Sequence, residues 1–298
     1  MSAYVDTPSF TPGQLVQAKW NPTSNKFKEA VVLGIVVQSP QQPPNLILRF
    51  SGFPDFKEIP VIPERVQLGK KLSEPEIQKN IHNLALMILN KISGTKTETF
   101  QKQVYNNLPK FRFLEILIQN DNPEICLKIS QVILKKSQLE PGFNDLYTNL
   151  VLHLSSVNPI FKSVFQQFMS QLLQREDIQI SEDDKQEYFS FLQFSGKLYL
   201  QEIISLSTIN QQLLTLFDKK IPEGEVYLEA VLKLMTIVTP KFKKLEDKHL
   251  FLLITNTIRN FSNGEGHPLS NRMRFLCLNY LDKNKLTTKL IRIRKNRS

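Results

Sequence analysis

Four histidines, two cysteines and a few acidic pairs are the residue types in this 298-residue chain that suit acid–base, nucleophilic or metal chemistry. Their spacing assembles none of it. His82, His153, His249 and His267 are scattered, with no pair spaced to place two imidazoles on one metal ion. Cys126 and Cys277 stand far apart, which excludes a disulfide framework and the multi-cysteine zinc patterns, so both read as core residues. Ser195-Gly196-Lys197 has the ending of a phosphate loop without its upstream glycines, and it sits within a helical period. Asp183-Asp184 and Glu246-Asp247 fall at helix starts, where the helix dipole favours acids without any catalytic role. No nucleophile elbow is present. The expectation is a binding or scaffold protein: not an enzyme, with no cofactor, no metal and no small-molecule substrate.

The remaining chemistry is electrostatic. The net charge is +10, and it is unevenly placed. Residues 1–72 hold 8 basic and 5 acidic side chains, residues 73–282 hold 23 of each, and residues 283–298 hold 7 basic and none acidic. Lys283, Lys285, Lys289, Arg292, Arg294, Lys295 and Arg297 make a basic tail, which suggests an acidic partner such as RNA, bound through phosphate neutralisation and counterion release. Lys289, Arg292, Arg294, Lys295 and Arg297 are the RNA-binding candidates. The competing reading is a solvated, frayed terminus. No window reaches the roughly 18 apolar residues of a membrane span, and Met1-Ser2-Ala3-Tyr4-Val5-Asp6 lacks the basic end and apolar run of a signal peptide. The expected address is the cytoplasm, with the nucleus second and no membrane partner.

Two architectures must position these groups. Of the 17 prolines, 10 precede residue 76. That first part reads as short strands over 15–20, 30–37, 46–50 and 58–62, β-branched or aromatic and separated by turn-rich stretches. A small antiparallel barrel fits, because closure removes edges that so short a sheet would expose. From Ser73 the apolar period becomes helical, with Ile77, Ile81, Leu84, Ala85 and Ile88 on one face and Ser73 with Glu76 as a capping box. Further helices are predicted over 99–119, 123–137, 142–156, 160–174, 182–204, 208–219, 223–238, 246–262 and 269–283. Punctuation supports them: Asn122 before Pro123, Glu140-Pro141-Gly142, Asn158 before Pro159, Ser181 with Asp184, and Pro222, Pro240 and Pro268 in connections. Pro109 should kink or split the second helix. The fold class is mainly α: about five helical hairpins stacked as a HEAT-type solenoid over 73–282, preceded by residues 1–11 as a flexible start and an all-β barrel over 12–70, and followed by the tail 283–298.

Several helical segments together resemble the middle domain of eukaryotic translation initiation factor 4G. In order they are Leu89-Asn90-Lys91-Ile92 with Phe100; Ile133-Leu134-Lys135-Lys136 leading to Glu140-Pro141-Gly142-Phe143 and Tyr147; Phe161-Lys162 through Leu172-Leu173-Gln174-Arg175-Glu176; Leu192-Gln193-Phe194-Ser195-Gly196-Lys197-Leu198-Tyr199; and Ser270-Asn271-Arg272-Met273-Arg274-Phe275 with Leu281-Asp282. The resemblance implies a HEAT-repeat scaffold in translation initiation or mRNA metabolism that holds a DEAD-box RNA helicase of the factor 4A type and biases its lobes toward the closed arrangement. On this resemblance Leu89, Ile92 and Phe100 anchor one lobe, while Phe194 and Arg272, Arg274 and Phe275 lie near other contacts. Core packing is the competing reading for each apolar residue, and the favoured one for Phe194 and Phe275. The link from Ile92 to Phe100 and the stretch around Pro109 are longer than the family pattern. A factor 4E-binding signature is absent, since Tyr147 and Leu152 are followed by His153. The pattern therefore resembles an adaptor built on one middle domain.

Residues 12–68 resemble a Tudor or related SH3-like domain. Trp20, Phe27, Phe50 and Phe53 with Asp55 match the aromatic cage that holds a methylated Arg or Lys in such domains. The competing reading is that these rings fill the core of a very small barrel. The leading expectation is thus a non-catalytic adaptor for a DEAD-box helicase and RNA. The alternative is a methyl-Arg or methyl-Lys reader that binds a methylated peptide in a nuclear or RNA-granule complex, with the solenoid as a docking platform.

Overall fold

The computed structural model describes residues 10, 12–19, 28–36, 45–50, 59–61, 66–68, 73–91, 111–112, 114–119, 121–175, 180–181, 183–220, 224–265 and 268–286. Five strands, β1 (Leu15–Ala18), β2 (Lys28–Val36), β3 (Asn45–Phe50), β4 (Ile59–Val61) and β5 (Val66–Leu68), form one antiparallel sheet in the order β4-β3-β2-β1-β5. The period-2 pattern of β1 and β2 turns Val16, Ala18, Ala30 and Val32 to one side, where they pack with Leu46, Leu48, Val61, Val66 and Phe10. The register fits that grouping, with Val16 opposite Ala30, Val32 opposite Leu48, and Leu46 opposite Val61. An irregularity between Val32 and Gly34 shifts the β2–β3 pairing by one residue. The strand β5 was not expected from sequence. Val66-Gln67-Leu68 is too short to show a period, and its pairing with β1 is what makes it a strand.

The rest is helical: α1 (Glu74–Asn90), a helical stretch at 111–112 and 114–118, α2 (Pro123–Leu139), α3 (Asn144–Val157), α4 (Pro159–Leu173), α5 (Lys185–Leu200), α6 (Leu206–Leu214), α7 (Glu225–Phe242), α8 (His249–Asn263) and α9 (Asn271–Lys283). A 3-10 turn at Pro141–Phe143 leads into α3, and a π-helical segment at Thr215–Lys220 continues α6. Helix starts carry the caps read from sequence. The Ser73 amide and hydroxyl both donate to Glu76 at 2.8 Å, and Asn122 Oδ1 accepts from the Glu124 amide at 2.8 Å. The Asp184 amide donates to Ser181 Oγ at 3.1 Å, but this bond lies in a turn and α5 starts at Lys185 rather than 182. Two other expected boundaries need correction. Residues 201–204 form a turn rather than the end of α5. Pro240 lies inside α7 instead of in a connection. A proline there removes one helical N–H, but Val238, Thr239 and Phe242 beside it are all within 1% of full burial and hold the last turn in the core. The part of the second predicted helix before residue 111, with Pro109, falls outside the described residues.

The chain divides into two compact units, Met1–Lys136 with Asn149–Phe165, and Ser137–Thr148 with Gln166–Ser298. In the first, the sheet shares its unit with α1. Gly13 has φ +83°, and a Cβ there would lie 2.9 Å from Ile81 Cγ1 and 3.0 Å from the Ile77 carbonyl oxygen. The turn thus rests directly on α1, held by Asn80 Nδ2 donating to the Gly13 carbonyl at 3.1 Å. In the second unit α5 and α9 both pack on α7, and α8 packs on α9. Gly196 lets α5 approach α7 closely, since a Cβ would meet Ile237 Cγ2 at 3.0 Å and Leu234 Cδ1 at 3.2 Å.

Several side-chain bonds among the described helices skip one helix. In the first unit Lys136 of α2 reaches Asn90 of α1 at 3.0 Å, and His153 of α3 pairs with Glu115. In the second, Lys197 of α5 pairs with Asp145 of α3 at 2.5 Å, Ser170 of α4 meets Thr208 of α6 at 3.4 Å, and Tyr280 of α9 meets Thr239 of α7 at 2.8 Å. These partners are 38 to 52 residues apart in sequence.

Burial also sets the alkaline limit of the fold. Desolvation pushes the Cys126 thiol up to about 11 and the Cys277 thiol to about 12, with nearby Asp121 and Glu225 adding to the effect. The Tyr280 phenol rises to about 12, chiefly by burial, and those of Tyr147 and Tyr188 rise as well. The unfolded chain ionises these thiols near 9.0 and phenols near 10.0, so above those values it holds fewer protons than the folded chain. Their contribution is therefore complete below pH 9.0 and is lost as pH rises toward 12. Urea melts should show a midpoint that falls steadily above pH 9.0; an unchanged midpoint there would contradict the burial of these groups.

Candidate functional site

Among the described candidates, α9 carries the surface most suited to a partner. Its first turn is fixed by Ser270, whose Oγ accepts from the Met273 amide at 3.2 Å while its own amide and hydroxyl donate to Glu225 of α7. With that start, the 3.6-residue period turns Met273, Cys277, Tyr280 and Leu281 inward. The same period leaves Arg272, Phe275, Leu278 and Asp282 on the outer face, where they follow one another at helical spacing.

Phe275 is 66% exposed and Leu278 36%. The favoured core reading of Phe275 is corrected: core positions of α9 fall on either side of it, at Met273 and Cys277, and Phe275 points between them to solvent. Arg272 stands one turn earlier. Its Nη2 donates to both carboxylate oxygens of Glu229 at 3.0 Å. Glu229 is buried in α7, and Lys185 Nζ of α5 lies 3.6 Å from its Oε2. One buried carboxylate thus ties α5, α7 and α9 and holds the Arg272 side chain beside the exposed ring. Arg274 faces the other way, with its guanidinium against Gly264, the left-handed cap of α8 (φ +85°).

The other helicase-binding candidates are not brought to this face. Phe194 of α5 is fully buried, and Leu89 of α1 is 1% exposed. For Phe194 this is the favoured core reading; Leu89 is corrected from contact to core residue, because no methyl surface is left to offer. Ile92 and Phe100 lie outside the described residues. So do Trp20, Phe27, Phe53 and Asp55 of the cage, whereas Phe50 is placed in β3 with its backbone paired to Ala30. The tail candidates Lys289, Arg292, Arg294, Lys295 and Arg297 are also outside. Ser195-Gly196-Lys197 is interior helix, as expected.

Two residues of the site were missed. Glu229 interrupts the apolar run from Tyr227 to Leu232 on an inward position of α7, which is the signal that would have marked it as a paired buried acid. Asn263-Gly264 after the last helical turn of α8 is the ordinary left-handed stop, and it is where Arg274 finds room. No family model matches the chain, and no curated protein matches it.

Proposed function

We propose that this chain is a non-catalytic adaptor that docks a DEAD-box RNA helicase of the factor 4A type and contacts RNA, in translation initiation or a related step of mRNA metabolism. The observation that carries the reading is the α9 face: an aromatic ring at 66% exposure, beside an arginine held in place by a buried acid, is the residue composition that dominates protein–protein contacts. The architecture supports it. Helices joined to their second neighbours at separations of 38 to 52 residues fit stacked hairpins of the HEAT kind, whose repeats run to about 40–47 residues. The five-stranded antiparallel sheet is read as the SH3-like or Tudor-like module of the same adaptor. Ile92 and Phe100 are the contacts to the first helicase lobe that the resemblance implies.

The test is the RNA-dependent ATPase rate of a factor 4A-type helicase with and without the full chain. Stimulation is expected, and Phe275→Ser should remove most of it while leaving the circular dichroism spectrum unchanged, because the ring contributes little to the fold. Absence of both binding and stimulation by the intact chain would overturn the proposal.

A further inference from the structure

We infer that the exposed lysines where α7 and α9 end, Lys243, Lys244, Lys283 and Lys285, form a folded surface for single-stranded RNA; the inference rests on the RNA-contact reading above and assigns a place to it. Lys243 and Lys244 close α7, Lys283 and Lys285 close α9, and all four are exposed. The two pairs are neighbours: Lys243 Nζ donates to the Asn284 carbonyl at 2.5 Å, between Lys283 and Lys285. The root of the chain's basic end is fixed at the same edge. The Leu286 amide donates to the Leu281 carbonyl at 2.8 Å, and Arg259 Nη2 donates to the Leu286 carbonyl at 3.0 Å.

Charge is concentrated here. The formal charge is +2 over 241–248 and +1 over 282–286. The acids Glu246, Asp247 and Asp282 are already counted in those figures, and Asp247 is engaged in capping the His249 amide at 2.9 Å. Cations in a last helical turn have an ordinary explanation, since they offset the dipole. That explanation covers Lys243 and Lys283 but not Lys285. Lys285 lies past the helix with φ +53°, in the left-handed position that α8 fills with Gly264. A side chain there is strained where glycine is not. A positive groove or edge that tracks phosphates, with little base readout, is what single-strand binding requires.

The test uses the full chain and a fluorescein-labelled oligouridine, with anisotropy read over a salt series. Lys243→Ala/Lys244→Ala/Lys285→Gly is expected to lose roughly tenfold or more in affinity at physiological salt and to flatten the log–log salt slope by roughly 2, at about 0.7 for each phosphate that is no longer neutralised. Lys285→Gly alone should lower the slope while leaving the thermal midpoint equal or higher, which separates removal of an RNA-binding cation from damage to the fold. Wild-type affinity and slope in the triple variant would overturn the inference while leaving RNA binding by the chain in place. Failure of the intact chain to bind the oligouridine would instead overturn the RNA reading, and this surface with it. Binding to phosphatidylserine vesicles without binding to oligouridine would overturn it in favour of a lipid surface.

Discussion

Phe194→Ala is expected to destabilise the chain by about 3–5 kcal/mol, and Phe275→Ala by no more than about 0.5 kcal/mol. The two phenylalanines belong to similar helical sequences, yet Phe194 is fully buried in α5 and Phe275 is 66% exposed in α9. Truncating a buried ring removes its transfer free energy and leaves a cavity that the surroundings fill only in part. Around Phe194 relaxation is restricted, because Gly196 two residues on already brings α5 close against α7, where a Cβ would lie only 3.0 to 3.2 Å from Ile237 and Leu234. An exposed ring loses neither term. Urea denaturation followed by circular dichroism gives both values. A stable Phe194 variant beside an unstable Phe275 variant would mean that the faces of α5 and α9 are assigned the wrong way round.

Asn158→Ala is expected to cost about 2–4 kcal/mol, a large effect for a polar side chain. Asn158 is 5% exposed and makes three bonds at once. Its Oδ1 accepts from the Phe161 amide at 2.7 Å and caps α4, which opens on Pro159. Its Nδ2 donates to the Ile118 carbonyl and to Asp121 Oδ1, both at 2.8 Å. Alanine removes the cap, leaves the buried Phe161 amide without its side-chain acceptor, and takes from the Ile118 carbonyl one of its two donors, the other being the Asp121 amide. Asn158→Asp separates the two roles. Aspartate is as good a cap, but it has no N–H for Ile118 and sets a second carboxylate against Asp121. It should therefore recover little of the loss. Full recovery by aspartate would show that only the cap matters. The same contact explains how Asp121 is held at φ +53°, a conformation uncommon for a side-chain-bearing residue.

Asn158 also shows which parts of the structure were legible in the sequence. A cap is a local event, decided by one side chain and the three amides after it, so Ser73, Asn122 and Asn158 mark true helix starts, whereas Ser181 closes a turn before α5 begins at Lys185. The strand β5 was illegible because three residues carry no period and β1 supplies the pairing. Pro240 looked like a connection because proline is a strong local signal, and only the burial of its neighbours in the core of α7 outweighs it. Phe275 reads as core by composition; its exposure depends on the rotational setting of α9, fixed by the Ser270 contact with Glu225 across 45 residues. The pairing of Glu229 is non-local in the same sense, since its partners Lys185 and Arg272 come from two other helices. Periodicity shows that a helix has two faces. Long-range contacts decide which face is which.

The seat of Gly13 on α1 bears on how this chain could be cut or recombined. Composition changes near residue 72, which looks like a natural seam between a β cassette and a helical one. The contact surface runs across that seam: Ile77 and Ile81 fit under a turn with no room for a methyl group, and Asn80 bonds its carbonyl. A fusion joined at 72 would part the Gly13 turn from Ile77, Asn80 and Ile81. A genetic shuffle at the compositional border would therefore divide a single compact unit, because α1 and the sheet belong to the same one, which continues to Lys136.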